Sequence, residues 1–577
     1  MSEIPGVEPF KGDPNERFEF VKHIGTGGFG DVVLCKDHEH EDMLVIVKLT
    51  SFEDPTTRNE ILMLSRIHHK YIVQYYDYYT LKVDQNLIDK YELKKFSPNT
   101  SAFALVIEFG VGGDFYSYVR KRSSIEEIIL VKLISQVGQA LEYLNENRTM
   151  HRDIKPENFL LDKYNDFKVT DFGTGDTISP EETQRILTQI TGTHIYMAPE
   201  IKSCQKYYNY LVDIFSLGMS IYRGCRGNVS DQDLQNVIED GQVVLPEPIP
   251  EQYSPQFYEL VNKMIAYNAC DRATLPEIKE ALLQIVTPKK LSEDEQKLLD
   301  TSLNLFYGID GIVDKKEAIS NFEKILKDSE LECSEAAFQL AQCYLFGDTV
   351  EKNEEQAITL LRMAVRKLHV PSLKLLAFCY QHGIGIEKDM FTATQLLTIA
   401  QKDDAEANFL LGFNLYNGEH IDLKGKHDPK NTVKQDYELA VHYFLKSKDF
   451  VLSQNYLGLC YLNGYGVHAD INEAYKYFSL AASGGSIDGM YNLANFYLTK
   501  YSDNQFYTEK AIKLLTEAAK QYHMGAAFKL SELYSQGTIV PRDEKKASLY
   551  SKISSTGPNS YDSTYNLALL KLNGKAD

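Results

Sequence analysis

The sequence lacks three features: a long apolar run, closely paired cysteines and an excess of basic residues. No apolar segment follows Met1, and no run approaches the roughly 18 apolar residues of a bilayer-spanning helix, so we expect no membrane insertion. The eight cysteines form no C-x-x-C pair, which favours reduced thiols and a cytoplasmic protein, with nuclear entry left open. A formal net charge of −20 argues against nucleic acid as a partner, because neutralising phosphates requires clustered Lys and Arg.

A base, two cations and an amide stand together in the segment 151–158, and Asp171 follows it in the motif Asp-Phe-Gly. In-line phosphoryl transfer needs such groups. Asp153 can accept the proton of an attacking hydroxyl, and Lys155 can neutralise charge on the moving phosphoryl group. Asp171 and Asn158 can each hold a Mg²⁺ ion. On these motifs the sequence resembles the eukaryotic protein kinases, which implies ATP and Mg²⁺ as cofactors.

A glycine-rich segment near the N-terminus is similar to the kinase loop that covers the ATP phosphates. Alone, G-x-G-x-x-G is weak evidence, since it also occurs in dinucleotide-binding folds. Two features favour the kinase loop over a dinucleotide-binding fold: Val32 follows the loop, and a later β-branched strand ends in Lys48. By resemblance, Lys48 pairs with the α- and β-phosphates and with Glu60 on the next helix, although Glu60 taken alone would be a solvated helix charge. The nucleotide-binding residues expected here are Ile24, Gly25, Gly27, Gly28, Phe29, Gly30, Val32, Ile46 and Lys48.

The segment 105–114 resembles the strand and hinge that link the two kinase lobes. The resemblance places backbone groups of Glu108 to Gly110 against adenine, Ile107 behind the pocket, and Asp114 near the ribose. The chain departs from the family at Ile46, where kinases usually carry a small Ala over the adenine ring, so we expect a narrower pocket. The polar segment 82–101 before the hinge is predicted to be a long loop.

The activation segment extends from Asp171 to the motif Ala198-Pro199-Glu200. By resemblance, the Thr193 hydroxyl contacts Asp153 and Lys155, as in serine/threonine kinases. The resemblance also pairs Glu200 with Arg272, and it makes Asp213 the anchor of the catalytic loop. These residues are expected to have structural roles.

Two threonines of the activation segment, Thr188 and Thr191, are candidate phosphate acceptors, although threonines also suit any polar loop. Arg152 favours phosphorylation, because a guanidinium beside the catalytic aspartate attracts an anion. Asp114 and Glu157 occupy positions that resemble those contacting basic residues upstream of the acceptor. The alternative is that Asp114 serves only the ribose and Glu157 only the loop.

From Pro288 onwards the sequence repeats itself. In the clearest unit, residues 474, 477, 478 and 481 form one apolar helix stripe, and Gly464 and Gly466 form a turn. The patterns Leu-Gly-x-x-Tyr and Gly-x-Gly-Val resemble the Sel-one-like repeats, relatives of the tetratricopeptide repeat. We expect the tyrosines to pack in the core and protein partners to bind the exposed concave face. A repeated alanine marks each unit: Ala318, Ala357, Ala393, Ala440, Ala474, Ala511 and Ala547.

The chain, at 577 residues, is too long for one hydrophobic core. We predict a flexible lead at 1–17, a kinase domain at 18–285, a linker at 286–295 and a repeat solenoid at 296–577. The expected fold class is an α+β bilobal protein-kinase fold followed by an all-α solenoid of helix-turn-helix repeats.

The expected function is ATP-dependent phosphorylation of Ser/Thr hydroxyls on protein substrates, with further protein partners on the solenoid. The alternative is a pseudokinase scaffold that acts mainly through its repeats. Loss of a catalytic or metal-binding residue would favour that alternative, and all four are present: Lys48, Asp153, Asn158 and Asp171. A small-molecule kinase is disfavoured by the Ala-Pro-Glu motif at 198–200, which shapes a peptide-docking ledge in protein kinases.

Overall fold

The computed structural model of the chain describes residues 4, 6–26, 30–52, 54–177, 185–186, 193–203, 207–227, 229–235, 237–239, 241–328, 332–402, 404–418 and 433–556. They form an amino-terminal lobe built on a sheet, a helical lobe, and a long run of helices that we call the repeat part. Within these residues, no helix is both long enough and apolar enough to cross a membrane.

The amino-terminal lobe is a five-stranded antiparallel sheet with the strand order β1-β2-β3-β5-β4. Residue Lys48 stands opposite Val32 on one side and Leu105 on the other, so the register places it in the middle of the sheet. A short 3-10 turn, His38–His40, joins β2 to β3. The elements are α1 (Pro14–Arg17), β1 (Phe18–Thr26), β2 (Gly30–Asp37), β3 (Met43–Ser51), α2 (Pro55–Leu64), β4 (Tyr75–Val83), α3 (Gln85–Tyr91) and β5 (Thr100–Glu108).

The segment before β1 differs from the expected flexible lead. Ile4 is only 2% exposed, and its N–H donates to the hydroxyl of Tyr78 at 3.3 Å. Phe10 donates its N–H to the Tyr78 carbonyl at 2.8 Å, which covers the edge strand β4. Arg17 is buried and bonded to Asp37 at 2.9 Å. Apolar side chains in a polar stretch therefore dock it on the sheet.

The prediction of a long loop over 82–101 is wrong, because this segment contains helix α3. Asp84 caps the helix by accepting a hydrogen bond from the Leu87 N–H at 2.8 Å. Tyr91 at the other end is buried and stacks on Phe20 with the ring centroids 5.1 Å apart. The helix was not predicted because the segment is mostly polar, and the contact that fixes the helix comes from the single residue Tyr91.

The helical lobe has a buried centre formed by two long helices, α5 and α7. Every residue of α7 from Val212 to Cys225 is buried. Two 3-10 turns, Pro156–Asn158 and Ala269–Asp271, lie in its loops. The elements are β6 (Gly113–Asp114), α4 (Phe115–Val119), α5 (Glu127–Glu146), β7 (Thr149–Met150), β8 (Phe159–Leu161), β9 (Phe167–Val169), β10 (Asp176–Thr177), β11 (Arg185–Ile186), α6 (Pro199–Lys202), β12 (Tyr207–Tyr208), α7 (Leu211–Cys225), α8 (Asp231–Gln235), β13 (Ile238–Glu239), β14 (Gln242–Val243), α9 (Pro255–Met264) and α10 (Leu275–Val286).

The repeat part begins with a capping box between Ser292 and Glu295. Consecutive helices then pack as seven pairs in the described residues, and all seven repeated alanines are buried on the second helix of a pair. The helices are α11 (Glu293–Tyr307), α12 (Lys315–Asp328), α13 (Ser334–Phe346), α14 (Glu354–Arg366), α15 (Val370–His382), α16 (Met390–Ala400), α17 (Ala405–Tyr416), α18 (Tyr437–Lys446), α19 (Val451–Asn463), α20 (Ile471–Ser483), α21 (Ile487–Lys500), α22 (Gln505–Lys520), α23 (Met524–Gln536) and α24 (Glu544–Thr556).

Two glycines show why the repeat needs this residue type. A Cβ on Gly458 would lie 2.5 Å from the ring of Phe478, so its absence lets α19 and α20 approach closely. Gly464 ends α19 with φ of 72°, in the left-handed region that other residues rarely adopt.

The repeat part is not a separate body joined only by a linker. One cluster of buried apolar residues is continuous from the amino-terminal lobe through the helical lobe to α18, whereas a second cluster covers α20 to α23. The first four helix pairs therefore share their core with the lobes, and the last pairs have their own.

Candidate active site

Lys48 joins the two lobes through two carboxylates. Its Nζ donates to Glu60 Oε2 at 2.7 Å and to Asp171 Oδ1 at 3.1 Å. Burial alone would lower the pKa of Lys48, but the two carboxylates outweigh burial and raise it above its ordinary value. Burial would likewise raise the pKa of Asp171, but Lys48 holds it below its usual range. The site thus presents a charged ammonium beside an ionised carboxylate.

Asp153 is the centre of a network that brings the catalytic loop and the activation segment together. Lys155 Nζ donates to Asp153 Oδ2 at 2.6 Å and to Thr193 Oγ1 at 2.8 Å. Thr193 donates both its N–H and its hydroxyl to Asp153 Oδ1, at 2.7 and 2.8 Å. Asn158 Nδ2 donates to the Asp153 carbonyl at 2.8 Å. These contacts fix the orientation of the Asp153 carboxylate.

Helix α7 holds the backbone next to Asp153, and a separate ion pair anchors the Ala-Pro-Glu motif. Asp213 accepts the N–H groups of His151 and Arg152 at 2.8 and 2.7 Å. Arg272 donates two hydrogen bonds to Glu200, at 2.8 and 3.0 Å.

Two functional positions have a left-handed backbone. The φ of Arg152 is 68° and that of Asp171 is 67°, which is unusual for residues other than glycine. The Asp213 carboxylate fixes the first residue and Lys48 contacts the second. Such strain persists where the surrounding contacts impose it, as at many active sites.

The hinge lies between β5 and β6. Ile46 stands directly opposite Ile107 in the sheet, and both are buried. The narrower pocket expected from Ile46 stays a prediction. The Glu108 carboxylate is bonded to Lys168 at 2.7 Å, and the Glu108 N–H donates to the Gln74 carbonyl at 2.9 Å. A Cβ on Gly110 would lie 2.8 Å from Leu160 Cβ, so only glycine allows this approach.

The Asp114 carboxylate is already engaged, because it accepts the N–H and hydroxyl of Ser117 at 2.8 and 2.7 Å. Glu157 is half-buried, burial raises its pKa, and its Oε2 has no hydrogen-bond partner among the described residues. Of the two carboxylates considered for basic substrates, Asp114 is bonded to Ser117, and one oxygen of Glu157 is enclosed by the protein.

Several expected site residues fall outside the described residues: Gly27, Gly28, Phe29, Thr188 and Thr191. The described part of the glycine-rich segment supplies Ile24, which is 44% exposed, and Gly25 at the end of β1. Gly30 and Val32 lie at the start of β2.

Arg152 is paired with a carboxylate of the chain itself. Its Nη1 donates to Asp176 Oδ2 at 3.0 Å, and the Tyr208 hydroxyl donates to the same oxygen at 3.3 Å. The expectation that this guanidinium attracts a loop phosphate stays a prediction. Sequence reasoning missed Asp176, although its position five residues after Asp171 in a polar loop was a usable signal.

The residues present fit a magnesium nucleotide. Lys48 supplies a buried positive charge for phosphates, and the depressed pKa of Asp171 suits a metal ligand. Asn158 adds a neutral oxygen, and it is linked to the start of the Asp171 loop by the hydrogen bond from the Thr170 N–H to its carbonyl at 3.1 Å.

Comparison with known families agrees with this geometry. Residues 18–283 match the protein kinase domain. The Sel1 repeat matches six segments: 334–367, 370–400, 405–449, 451–486, 487–523 and 525–550. The chain therefore contains a protein kinase domain followed by Sel1 repeats, which confirms the expected fold class.

Three similar proteins each match a little under half of this chain. A probable serine/threonine-protein kinase MARK-C of Dictyostelium discoideum is 32% identical over 268 residues, which is 45% of this chain and 32% of the relative. An Aurora kinase of Eremothecium gossypii is 26% identical over 271 residues, covering 46% and 68%. Human 3-phosphoinositide-dependent protein kinase 1 is 28% identical over 282 residues, covering 48% and 47%. The chain thus spans less than two thirds of two of these relatives.

Proposed function

We propose that this protein transfers the γ-phosphoryl group of ATP to serine and threonine hydroxyls of protein substrates. The observation that carries the proposal is the network of Asp153, Lys155 and Thr193, in which two cationic or polar groups orient one carboxylate. Relatives whose names include serine/threonine-protein kinase support the choice of acceptor.

The chain's own groups account for the steps of such a transfer. Asp153 accepts the proton of the acceptor hydroxyl, and Lys155 stabilises the charge that develops on the transferred group. Lys48, held by Glu60, positions the phosphates of the nucleotide. When bound between Asp171 and Asn158, Mg²⁺ would neutralise the phosphate charges.

The repeat part is proposed to bind protein partners. Its later pairs expose aromatic side chains, a residue type enriched at protein interfaces. Tyr475 is 39% exposed, Phe506 58% and Phe528 59%.

The proposal is tested with Asp153→Asn in the full chain. We expect phosphorylation of a generic protein substrate to fall by about 10²–10⁴-fold, because the variant cannot accept the acceptor proton. Mg-ATP binding, measured by calorimetry, should be largely retained. Phosphoamino-acid analysis of the wild-type product should show phosphoserine or phosphothreonine.

Near wild-type transfer by Asp153→Asn would show that Asp153 is not the proton acceptor. Phosphotyrosine as the main product would contradict the proposed acceptor. Binding of Mg-ATP without any transfer by the wild-type chain would favour the pseudokinase scaffold instead.

A further inference from the structure

Helix α16 of the repeat part meets α4 of the kinase domain through a buried ion pair. Arg122 follows α4, and its Nη2 donates to Asp389 Oδ1 at 2.7 Å while its Nε donates to Asp389 Oδ2. Arg122 is 9% exposed and Asp389 is 4% exposed. Arg122 also donates from Nη1 to the Tyr118 carbonyl at 2.7 Å, so the pair is tied to the backbone of α4.

An aromatic contact lies beside this ion pair. Phe391 of α16 stacks on Tyr118 of α4 with the ring centroids 3.8 Å apart and the planes 14° from parallel. Both rings are buried, and the Arg122 guanidinium lies 5.1 Å from the Phe391 centroid. Removing either member would leave a gap in a closely packed site.

Tyr118 carries the contact onward to the hinge. Its hydroxyl donates to the Gly112 carbonyl. Gly112 donates its N–H to the Leu161 carbonyl at 3.0 Å, and Gly113 donates to the Gly110 carbonyl at 3.0 Å. Asp114 follows directly. A continuous series of contacts thus joins the repeat part to the segment 110–114, which borders the nucleotide site.

We infer that Asp389 and Phe391 are positioning residues for nucleotide binding, acting through Arg122 and Tyr118 on the hinge. The inference rests on the proposed function, since it assumes that the cleft binds Mg-ATP. It gives the repeat part a role at the active site besides the binding of partners. These side-chain contacts lead to the hinge, so their loss is expected to change nucleotide affinity.

Two further contacts keep α14 and α16 in place on the kinase domain. Arg366 Nε is bonded to Glu127 Oε2 at 3.0 Å. Gln395 Oε1 accepts from Lys132 Nζ at 3.0 Å. Because both contacts involve α5, a buried helix of the lobe, the repeat helices rest on a fixed support beside the hinge.

A local role for Asp389 must be separated from the positioning role. Asp389 also caps α16, accepting the N–H groups of Phe391 and Thr392 at 3.1 and 3.2 Å. Asparagine is an equally good N-cap, so Asp389→Asn keeps the cap and removes the charge that faces Arg122. Asp470 caps α20 in the same way but is exposed, so Asp470→Asn is a matched control.

The test uses full-length protein and compares wild type, Asp389→Asn, Phe391→Leu and Asp470→Asn. Calorimetry gives the Kd of Mg-ATP, and peptide phosphorylation gives KM for ATP, KM for peptide and kcat. For Asp389→Asn and Phe391→Leu we expect Kd and KM for ATP to rise about fivefold or more, with kcat and peptide KM unchanged. Asp470→Asn should match wild type.

The outcomes separate this inference from the proposed function. A wild-type chain that binds no Mg-ATP overturns both. A wild-type chain that binds Mg-ATP while Asp389→Asn and Phe391→Leu bind it equally well overturns the inference alone. An equal loss in Asp470→Asn would show general loosening and also overturn it. If Asp389→Asn does not fold, Phe391→Leu, which keeps the charge pair, decides the question by the same measurements.

Discussion

The kinase domain and the later repeats hold their residues in place in different ways. In the kinase domain, partners come from distant parts of the chain, as with Lys48 and Asp171, which are 123 positions apart. In the later repeats, each helix packs on its neighbours, as α19 does on α20 and α20 does on α21. A change in the kinase domain is therefore expected to affect the whole lobe, whereas a change in a late repeat should act locally.

The boundary between these two kinds of structure does not coincide with the linker. The segment 287–292 separates α10 from α11, yet one apolar core continues across it to α18. The first four helix pairs thus share apolar contacts with the kinase domain, and the later repeats have a separate buried cluster, with a smaller cluster from α17 to α20 between the two. Four predictions test this division.

The largest effect is expected from Asp171→Ala, which removes the proposed metal ligand. Turnover should fall by about 10²-fold or more, because a charge-stabilising group is lost from the site. Mg²⁺-dependent nucleotide binding, followed by calorimetry, should be lost with it. The repeat part should keep its helical circular dichroism. Unchanged Mg-ATP affinity would show that Asp171 is not a metal ligand.

The second prediction concerns Phe478→Ala in the later repeats. Phe478 is fully buried against Gly458, so its truncation should cost about 3–5 kcal/mol of local stability. Hydrogen exchange should rise in α19 to α21, while Mg-ATP binding stays at the wild-type level. Phe506→Ala, at a 58% exposed position, serves as the control. Loss of nucleotide binding in Phe478→Ala would contradict the division.

The third prediction concerns the piece 1–288. Its motif set is complete before Pro288, so we expect it to fold and to phosphorylate a generic substrate. Because it lacks Asp389 and Phe391, its Mg-ATP affinity should be weaker by about fivefold, as for the single variants. Turnover at saturating ATP measures the first expectation and calorimetry the second. A folded but inactive piece would mean that the repeats complete the active site.

The smallest effect is expected from substrate charge. Glu157 is half-buried and stands beside Asn158 in the catalytic loop, so peptides with Arg upstream of the acceptor should be preferred by roughly 1 kcal/mol. Raised salt should weaken this preference, and Glu157→Gln should remove most of it. If peptides with acidic residues upstream of the acceptor are phosphorylated equally well in a peptide library, the predicted preference for basic substrates is wrong.

The two regions also differ in how far the sequence predicts them. The repeat helices follow from local periodicity, because a buried alanine recurs at similar intervals and its contacts lie within neighbouring pairs. The kinase site depends on contacts between distant residues, so it could be proposed only by resemblance to a family. Within that resemblance, the structure brings Thr193 to Asp153 and Arg272 to Glu200.

The contacts between the two regions could not be predicted. Arg122 and Asp389 are 267 positions apart, and an aspartate before a helix reads as an ordinary N-cap. Helix α3 was missed for a similar reason, since Tyr91 stacks on Phe20 from a remote strand. In each case the deciding interaction joins residues whose nearness is a property of the fold.

The docking of α14 and α16 on the kinase domain has a consequence for any protein held by the repeats. A flexible tether would let a bound partner sample the active site from many directions, at an effective concentration set by tether length. Here Arg366 and Asp389 fix the first repeats on the lobe, so a bound partner would be presented from one direction. Acceptor residues would then be selected by their reach from the docking point as well as by their local sequence.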